Sequence, residues 1–204
     1  MEYDCLSRAQ FEGVVLDLGG GAKAKYRKIL PADIDYRSVN IDPDIEPTYL
    51  VDPGEALPVE DESFDHCLSM NTLEHVYDAK FLLGELHRVV KKGGTVHITV
   101  PWMFKIHAHP DDFSRYSPSW WAMALGEVGF SEATIQPLLW GRQSTAASLV
   151  GQKGVLRRLR RHLAHLEDVL YAKLMFRGGD GKYSGARGRK LSCFAPGHYI
   201  IAKK

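Results

Sequence analysis

VVLDLGGGAKAKY, Val14–Tyr26, runs from a strand-like apolar stretch straight into three glycines and then into lysines. A strand buried on both faces reads as a continuous apolar run rather than an alternating one. The loop that leaves it needs glycine where the backbone takes positive φ, or where a ligand lies against the chain with no Cβ between. Gly19, Gly20 and Gly21 meet both needs. The string Gly19-Gly20-Gly21-Ala22-Lys23-Ala24 also satisfies the dinucleotide pattern G-x-G-x-x-A, so the loop by itself leaves the cofactor open, and a tight turn with no ligand remains an alternative.

Outward from that stretch, apolar runs bounded by turn residues alternate with segments of helical period, the pattern of an α/β sheet covered on both faces. Strands are predicted at Val14–Leu18, Tyr36–Ile41, Thr48–Val51 and Phe64–Met70. A helix is predicted from Ala79 through Lys92 to the Gly93-Gly94 pair, followed by a strand that Pro101 closes because it has no N–H to donate. Ser117 as N-cap, Pro118 at the first helical position and Gly129 as the stop predict a helix to Val128. EATIQPLL and PGHYIIAKK complete seven strands. Between these last two lies an insertion, about residues 141–190: a leucine stripe at Leu156, Leu159, Leu163, Leu166, Leu170 and Leu174, then the glycine-rich RGGDGKYSGARGRK.

The 204 residues suit one domain, and 45% apolar with 25% charged residues is ordinary for a globular chain. No secretory leader and no run of roughly 18 apolar residues is seen, so a cytoplasmic protein is expected. Cys5, Cys67 and Cys193 are odd in number and far apart, which argues against a disulfide framework or a zinc site. Charge is uneven beneath a net +1: Lys153 to Lys190 holds 11 basic and 3 acidic residues (+8), leaving 15 and 22 elsewhere (−7).

Asp42 stands beyond the glycine loop at the predicted end of the second strand, where a carboxylate accepts both hydroxyls of a ribose or else forms a turn before Pro43. Two features favour S-adenosyl-L-methionine over NAD. Asp17, just before the loop, suits a ligand with ammonium and sulfonium charge and would repel a pyrophosphate. Lys23 and Lys25, at the start of the next predicted helix, would help its positive end receive a carboxylate.

Together VLDLGGG, VNIDPD, LPVEDESFDHCLSMNTLEHV and ELHRVVKKGGTVHITVPW resemble the motifs of class I S-adenosylmethionine-dependent methyltransferases. Within that superfamily, IHAHPDDFSRYS is similar to a subgroup of small bacterial-type enzymes through His107, Pro110, Asp112, Phe113, Arg115, Tyr116 and Ser117. The resemblance covers roughly residues 14–140 and the last strand, and leaves out the basic insertion. It implies a Rossmann-like, seven-stranded, mostly parallel sheet with a C-terminal antiparallel hairpin and helices on both faces. It further implies that Gly19, Gly20 and Gly21 flank the methionine part of the cofactor, Asp42 its ribose and Asp52 its adenine, with Met70 and Asn71 closing over it. The segment DPGEALP, Asp52–Pro58, runs one residue longer than the family's usual spacing from acid to Leu-Pro, and Pro53 has no N–H, so Glu55 competes with Asp52 for the adenine.

A methyl acceptor must be held in line behind the sulfonium carbon, and a base is needed only where the acceptor is a hydroxyl. His107, in the loop after the fifth strand, is the candidate base, and a structural His107–Asp112–Arg115 network is the competing reading. Glu74, His75, His109 and Arg115 are candidate substrate contacts, with turn capping as the alternative for Glu74. The remaining histidines His66, His87 and His97 lack metal-ligand spacing, so no metal is expected. Arg157, Arg158, Arg160 and Arg161 lie opposite the leucine stripe. That helix, within 153–176, packs on the domain, forms a homodimer or contacts a membrane surface, and nucleic acid is disfavoured for want of a reading motif. The expected activity is methyl transfer to a small-molecule or glycan acceptor at oxygen. The rivals are an NAD-dependent oxidoreductase or epimerase and a non-catalytic membrane-associated binding protein.

Overall fold

A computed structural model describes residues 2–108, 110–138, 142–150, 156–175 and 193–204. Helices are α1 (Glu2–Arg8), α2 (Ala79–Val89), α3 (Pro118–Val128), α4 (Arg142–Val150) and α5 (Arg157–Met175). Strands are β1 (Val14–Leu18), β2 (Asp35–Asn40), β3 (Tyr49–Leu50), β4 (Phe64–Met70), β5 (Val90–Pro101), β6 (Glu132–Leu138) and β7 (Gly197–Lys203). They form one sheet in the order β3-β2-β1-β4-β5-β7-β6.

β3, β2, β1, β4 and β5 pair in parallel. β7 runs against β5: Gly93 and Lys204 join the strands by backbone hydrogen bonds at one end, while Trp102 donates to Pro196 at the other. Ser131, just before β6, donates to Lys203 at the end of β7, so the last two strands are the antiparallel pair. This is the expected Rossmann-like sheet.

Strand alternation divides the core. Leu16 and Leu18 of β1 point into a cluster with Leu83 and Leu86 of α2 and Trp121 and Leu125 of α3. Val15 points the other way, with Leu68 and Met70 of β4, towards Leu6 of α1 and Tyr26, Leu30 and Ile34. Asp17 shares Val15's side of the strand by the alternation of strand side chains, which places a carboxylate in the interior.

Two elements differ from expectation. The segment predicted as the end of a helix, Val90–Lys92, is strand. Val90 pairs with Phe64 across a β-bulge, and Gly93 at φ +78 continues the irregularity. Two successive β-branched residues beside an unpaired strand edge favour extension over another helical turn. After the glycine loop there is no α-helix, only a short 3-10 turn, Lys25–Ile29. Pro31 has no N–H and disfavours helical geometry at Leu30, so the turn cannot propagate.

The chain divides into two compact units: Met1–Val100 with His107–Ile135 and Tyr199–Lys204, and Pro101–Ile106 with Gln136–His198. In the second, Asp168 of α5 accepts from Gln143 and Ser144 N–H at the start of α4, capping one helix from the other. The six stripe leucines of α5 and its approach are 51–76% exposed, so α4 does not cover them. The glycine-rich stretch 177–190 lies outside the described residues. Among the described residues no helix is long and apolar enough to cross a membrane.

Candidate active site

The glycine loop follows β1 at the C-terminal end of the parallel strands. Gly19 takes φ +91, and a Cβ there would collide with the Thr72 side chain. A Cβ on Gly20 would meet the Asp17 carboxylate, and one on Gly21 the Ile45 carbonyl. All three glycines are thus required by the protein's own packing. Asn40, which sequence reading passes over, ties the loop down. Its amide donates to the Gly19 carbonyl (2.6 Å) while its own oxygen accepts from Asp42 N–H (3.0 Å).

Asp17 is fully buried. Its Oδ2 accepts from the Tyr26 (2.8 Å) and Tyr36 (2.6 Å) hydroxyls, while Oδ1 has no hydrogen-bond partner among the described residues. Burial pushes its carboxyl up to about 6 in spite of the two phenols. Neither tyrosine is legible as a partner in the sequence, since both lie downstream in elements whose facing depends on the sheet.

Asp42 is half-buried and caps a 3-10 turn, accepting from Asp44 N–H (2.9 Å). Asp52 is exposed in the turn after β3, as is Glu55. Lys23, expected at a helix start, pairs instead with Glu46 (3.0 Å). Met70, buried at the end of β4, receives the Thr99 hydroxyl on its sulfur. Asn71 follows at φ +51, and its side-chain amide donates to Glu2 of α1 (2.8 Å).

Glu74 and His75 sit in the 3-10 turn just beyond (Leu73–His75). The loop after β5 folds back onto it: Phe113 and Ser114 N–H both donate to the Glu74 carbonyl. Within that loop Asp112 receives the Arg115 guanidinium in bidentate fashion, one contact being 2.6 Å, and also the His107 N–H (2.9 Å). The guanidinium holds the Asp112 carboxyl down to about 2. This brace brings His107 to Glu74 and His75: Glu74 Oε1 lies 3.6 Å from His107 Nε2 and 3.7 Å from His75 Nε2. Glu74 is buried, neither of its carboxylate oxygens has a hydrogen-bond partner among the described residues, and desolvation pushes its carboxyl up to about 7. His109 lies outside the described residues.

Residues 16–98 match the methyltransferase domain family. The fold resembles that of a SAM dependent methyltransferase from Archaeoglobus fulgidus (TM-score 0.62, 17% identity, 98% of this chain and 90% of that one). The domain match and the fold agree with the resemblance to class I S-adenosylmethionine-dependent methyltransferases that the sequence motifs carry. A methyltransferase fold is likewise shared with Haemonchus contortus phosphoethanolamine N-methyltransferase 2, in complex with S-adenosyl-L-methionine (TM-score 0.60, 16% identity, all of this chain and 52% of that one). In sequence, an uncharacterized methyltransferase of Mycobacterium tuberculosis strain H37Rv is 34% identical over 114 residues, 50% of this chain and 45% of that protein. One from Mycobacteroides abscessus is 33% identical over 128 residues, 52% and 49%. The chain spans about half the length of the curated relatives it matches.

S-adenosyl-L-methionine is the ligand bound in that Haemonchus contortus neighbour, and the methyltransferase domain match does not favour the dinucleotide reading of the glycine loop. The methyltransferase loop fits such a ligand on one structural point. Asp17 Oδ1 is a buried acceptor with unused capacity beside the glycines, and an ammonium group satisfies such an oxygen where a pyrophosphate would not.

Proposed function

We propose that the protein transfers the methyl group of S-adenosyl-L-methionine to an oxygen of a small-molecule or glycan acceptor. Asp17, Gly19, Gly20, Gly21, Met70 and Asn71 would hold the methionine end, Asp42 the ribose and Asp52 the adenine. Methyl transfer is an in-line displacement: a lone pair of the acceptor forms the new bond to carbon as the C–S bond breaks, releasing neutral S-adenosylhomocysteine. Most of the acceleration comes from positioning two bound reactants.

The observation that supports an oxygen acceptor is the convergence of Glu74, His75 and His107 directly after Met70 and Asn71. A neutral amine attacks with a lone pair already free, whereas a hydroxyl must lose a proton, so groups that promote proton loss beside the cofactor serve oxygen chemistry. His107, 30% exposed against 15% for His75 and 1% for Glu74, is the side chain an acceptor meets first and the candidate catalytic residue. His75, His109 and Arg115 would line the acceptor's approach, Arg115 chiefly through its hold on Asp112.

Radiolabelled S-adenosyl-L-methionine incubated with fractionated cell extract tests this. Label is expected in a small-molecule or glycan fraction as an O-methyl product, and His107→Ala should lower kcat by roughly 10²-fold or more while leaving S-adenosylhomocysteine affinity unchanged. Label found only on amines, or in no fraction, would refute the oxygen reading.

A further inference from the structure

We infer that Glu74, His75 and His107 form a binding site for one first-row divalent transition-metal ion. The adjacent pair Glu74-His75, with its second imidazole a helix and a strand further along the chain, has no ligand-spacing signature, which is why sequence reading expects no metal. The fold supplies what spacing does not. One ligand atom from each residue lies within 4.8 Å of the others. The 3.6 and 3.7 Å separations of Glu74 Oε1 from the two Nε2 atoms are longer than hydrogen bonds. They approach the spacing of about 3.3 Å between neighbouring donors on a tetrahedral ion with bonds of about 2.0–2.1 Å.

Two further observations point to an ion rather than a chance cluster. The Glu74 side chain is 1% exposed and has no hydrogen-bond partner for either oxygen among the described residues. A buried carboxylate in that state is costly, and a cation relieves the cost. Each imidazole is also supported from behind. His75 Nδ1 donates to the Asp111 carbonyl, directing its Nε2 lone pair to the cluster, and the His107 ring is held in place at Nδ1, 3.3 Å from Asp112 and 3.3 Å from the Arg115 guanidinium. Such outer contacts orient histidine ligands.

Two imidazoles and one carboxylate suit Zn²⁺, Co²⁺, Fe²⁺ or Mn²⁺ better than the oxygen-seeking Mg²⁺ or Ca²⁺. Three protein ligands leave a position open, as reactive metal sites do. The role of that position rests on the methyl transfer proposed above; the ion site itself does not. An acceptor hydroxyl bound there becomes more acidic. Its proton passes to solvent, its oxygen forms the C–O bond, and the sulfonium leaves as a neutral thioether. His107 then acts on the acceptor through the ion instead of taking the proton itself.

Metal-free protein titrated with Co²⁺ and followed by visible absorption tests the site. The expected result is the ligand-field spectrum of four- or five-coordinate Co²⁺ saturating at one ion per chain, abolished by one equivalent of Zn²⁺. His75→Ala, His107→Ala and Glu74→Gln should each weaken it roughly 10- to 100-fold or more. Thermal midpoints confirm that each variant folds; should Glu74→Gln not fold, His107→Gln on the exposed side carries the same prediction. A spectrum that stays that of aqueous six-coordinate Co²⁺, or bands indifferent to the histidine variants, would overturn the inference. Neither readout involves methyl transfer, so the ion site and the acceptor reading fail separately.

Discussion

At Asp17 a stability cost meets the binding role proposed for it. Its folded-state pKa of about 6 exceeds the ordinary carboxylate value of 3.8, so between these values the folded chain holds a proton that the unfolded chain has lost. The stability associated with that proton is present at low pH and is lost as pH rises through about 6, a difference on the order of 3 kcal/mol between the two limits. Asp17→Asn should flatten this dependence and raise the thermal midpoint of the ligand-free protein at pH 8, while weakening S-adenosyl-L-methionine binding. Scanning calorimetry at pH 5 and pH 8 measures both halves; a variant less stable than wild type at pH 8 would contradict the account. The acid is legible in VVLDLGGG because charge in an apolar strand stands out. Its phenol partners are not, because pairing Tyr26 and Tyr36 with it depends on how β2 and the 3-10 turn pack.

At the scale of elements, the signals that work are those with a local physical cause. β1 and β4 are buried runs bounded by turn residues, and their observed ends coincide with the predicted ones. α3 begins at the Ser117 cap and ends at Gly129, which takes φ +113 and returns its N–H to the Leu125 and Gly126 carbonyls. Gly129→Ala should therefore cost about 1–2 kcal/mol, read as a lower midpoint in denaturant titration with an unchanged slope. A neutral result would mean that the helix stop does not need the left-handed residue. Where long-range pairing decides, sequence reading fails: Val90–Lys92 obeys β4 rather than the helix before it. α1 has one buried residue, Leu6, and no periodicity to betray it. The candidate site divides in the same way. The glycines and Asp42 belong to local motifs, but the meeting of Glu74 with His107 is made by a loop that folds back only after α2 and β5 have intervened.

For the whole molecule, the strand order puts β1, β2 and β4 side by side with their C-terminal ends together, which is where the crevice of an open parallel sheet takes its ligand. Every candidate cofactor contact lies in the larger compact unit. Binding confined to the folded state must stabilise it by mass action, so S-adenosylhomocysteine at about 100 times its Kd should add roughly 2.7 kcal/mol. The most direct measurement is isothermal titration calorimetry of the purified chain with S-adenosylhomocysteine and, separately, with NAD. One S-adenosylhomocysteine per chain, weakened about tenfold or more by Asp42→Ala, with no heat from NAD, is the predicted result. Saturable NAD binding with no response to S-adenosylhomocysteine would contradict it.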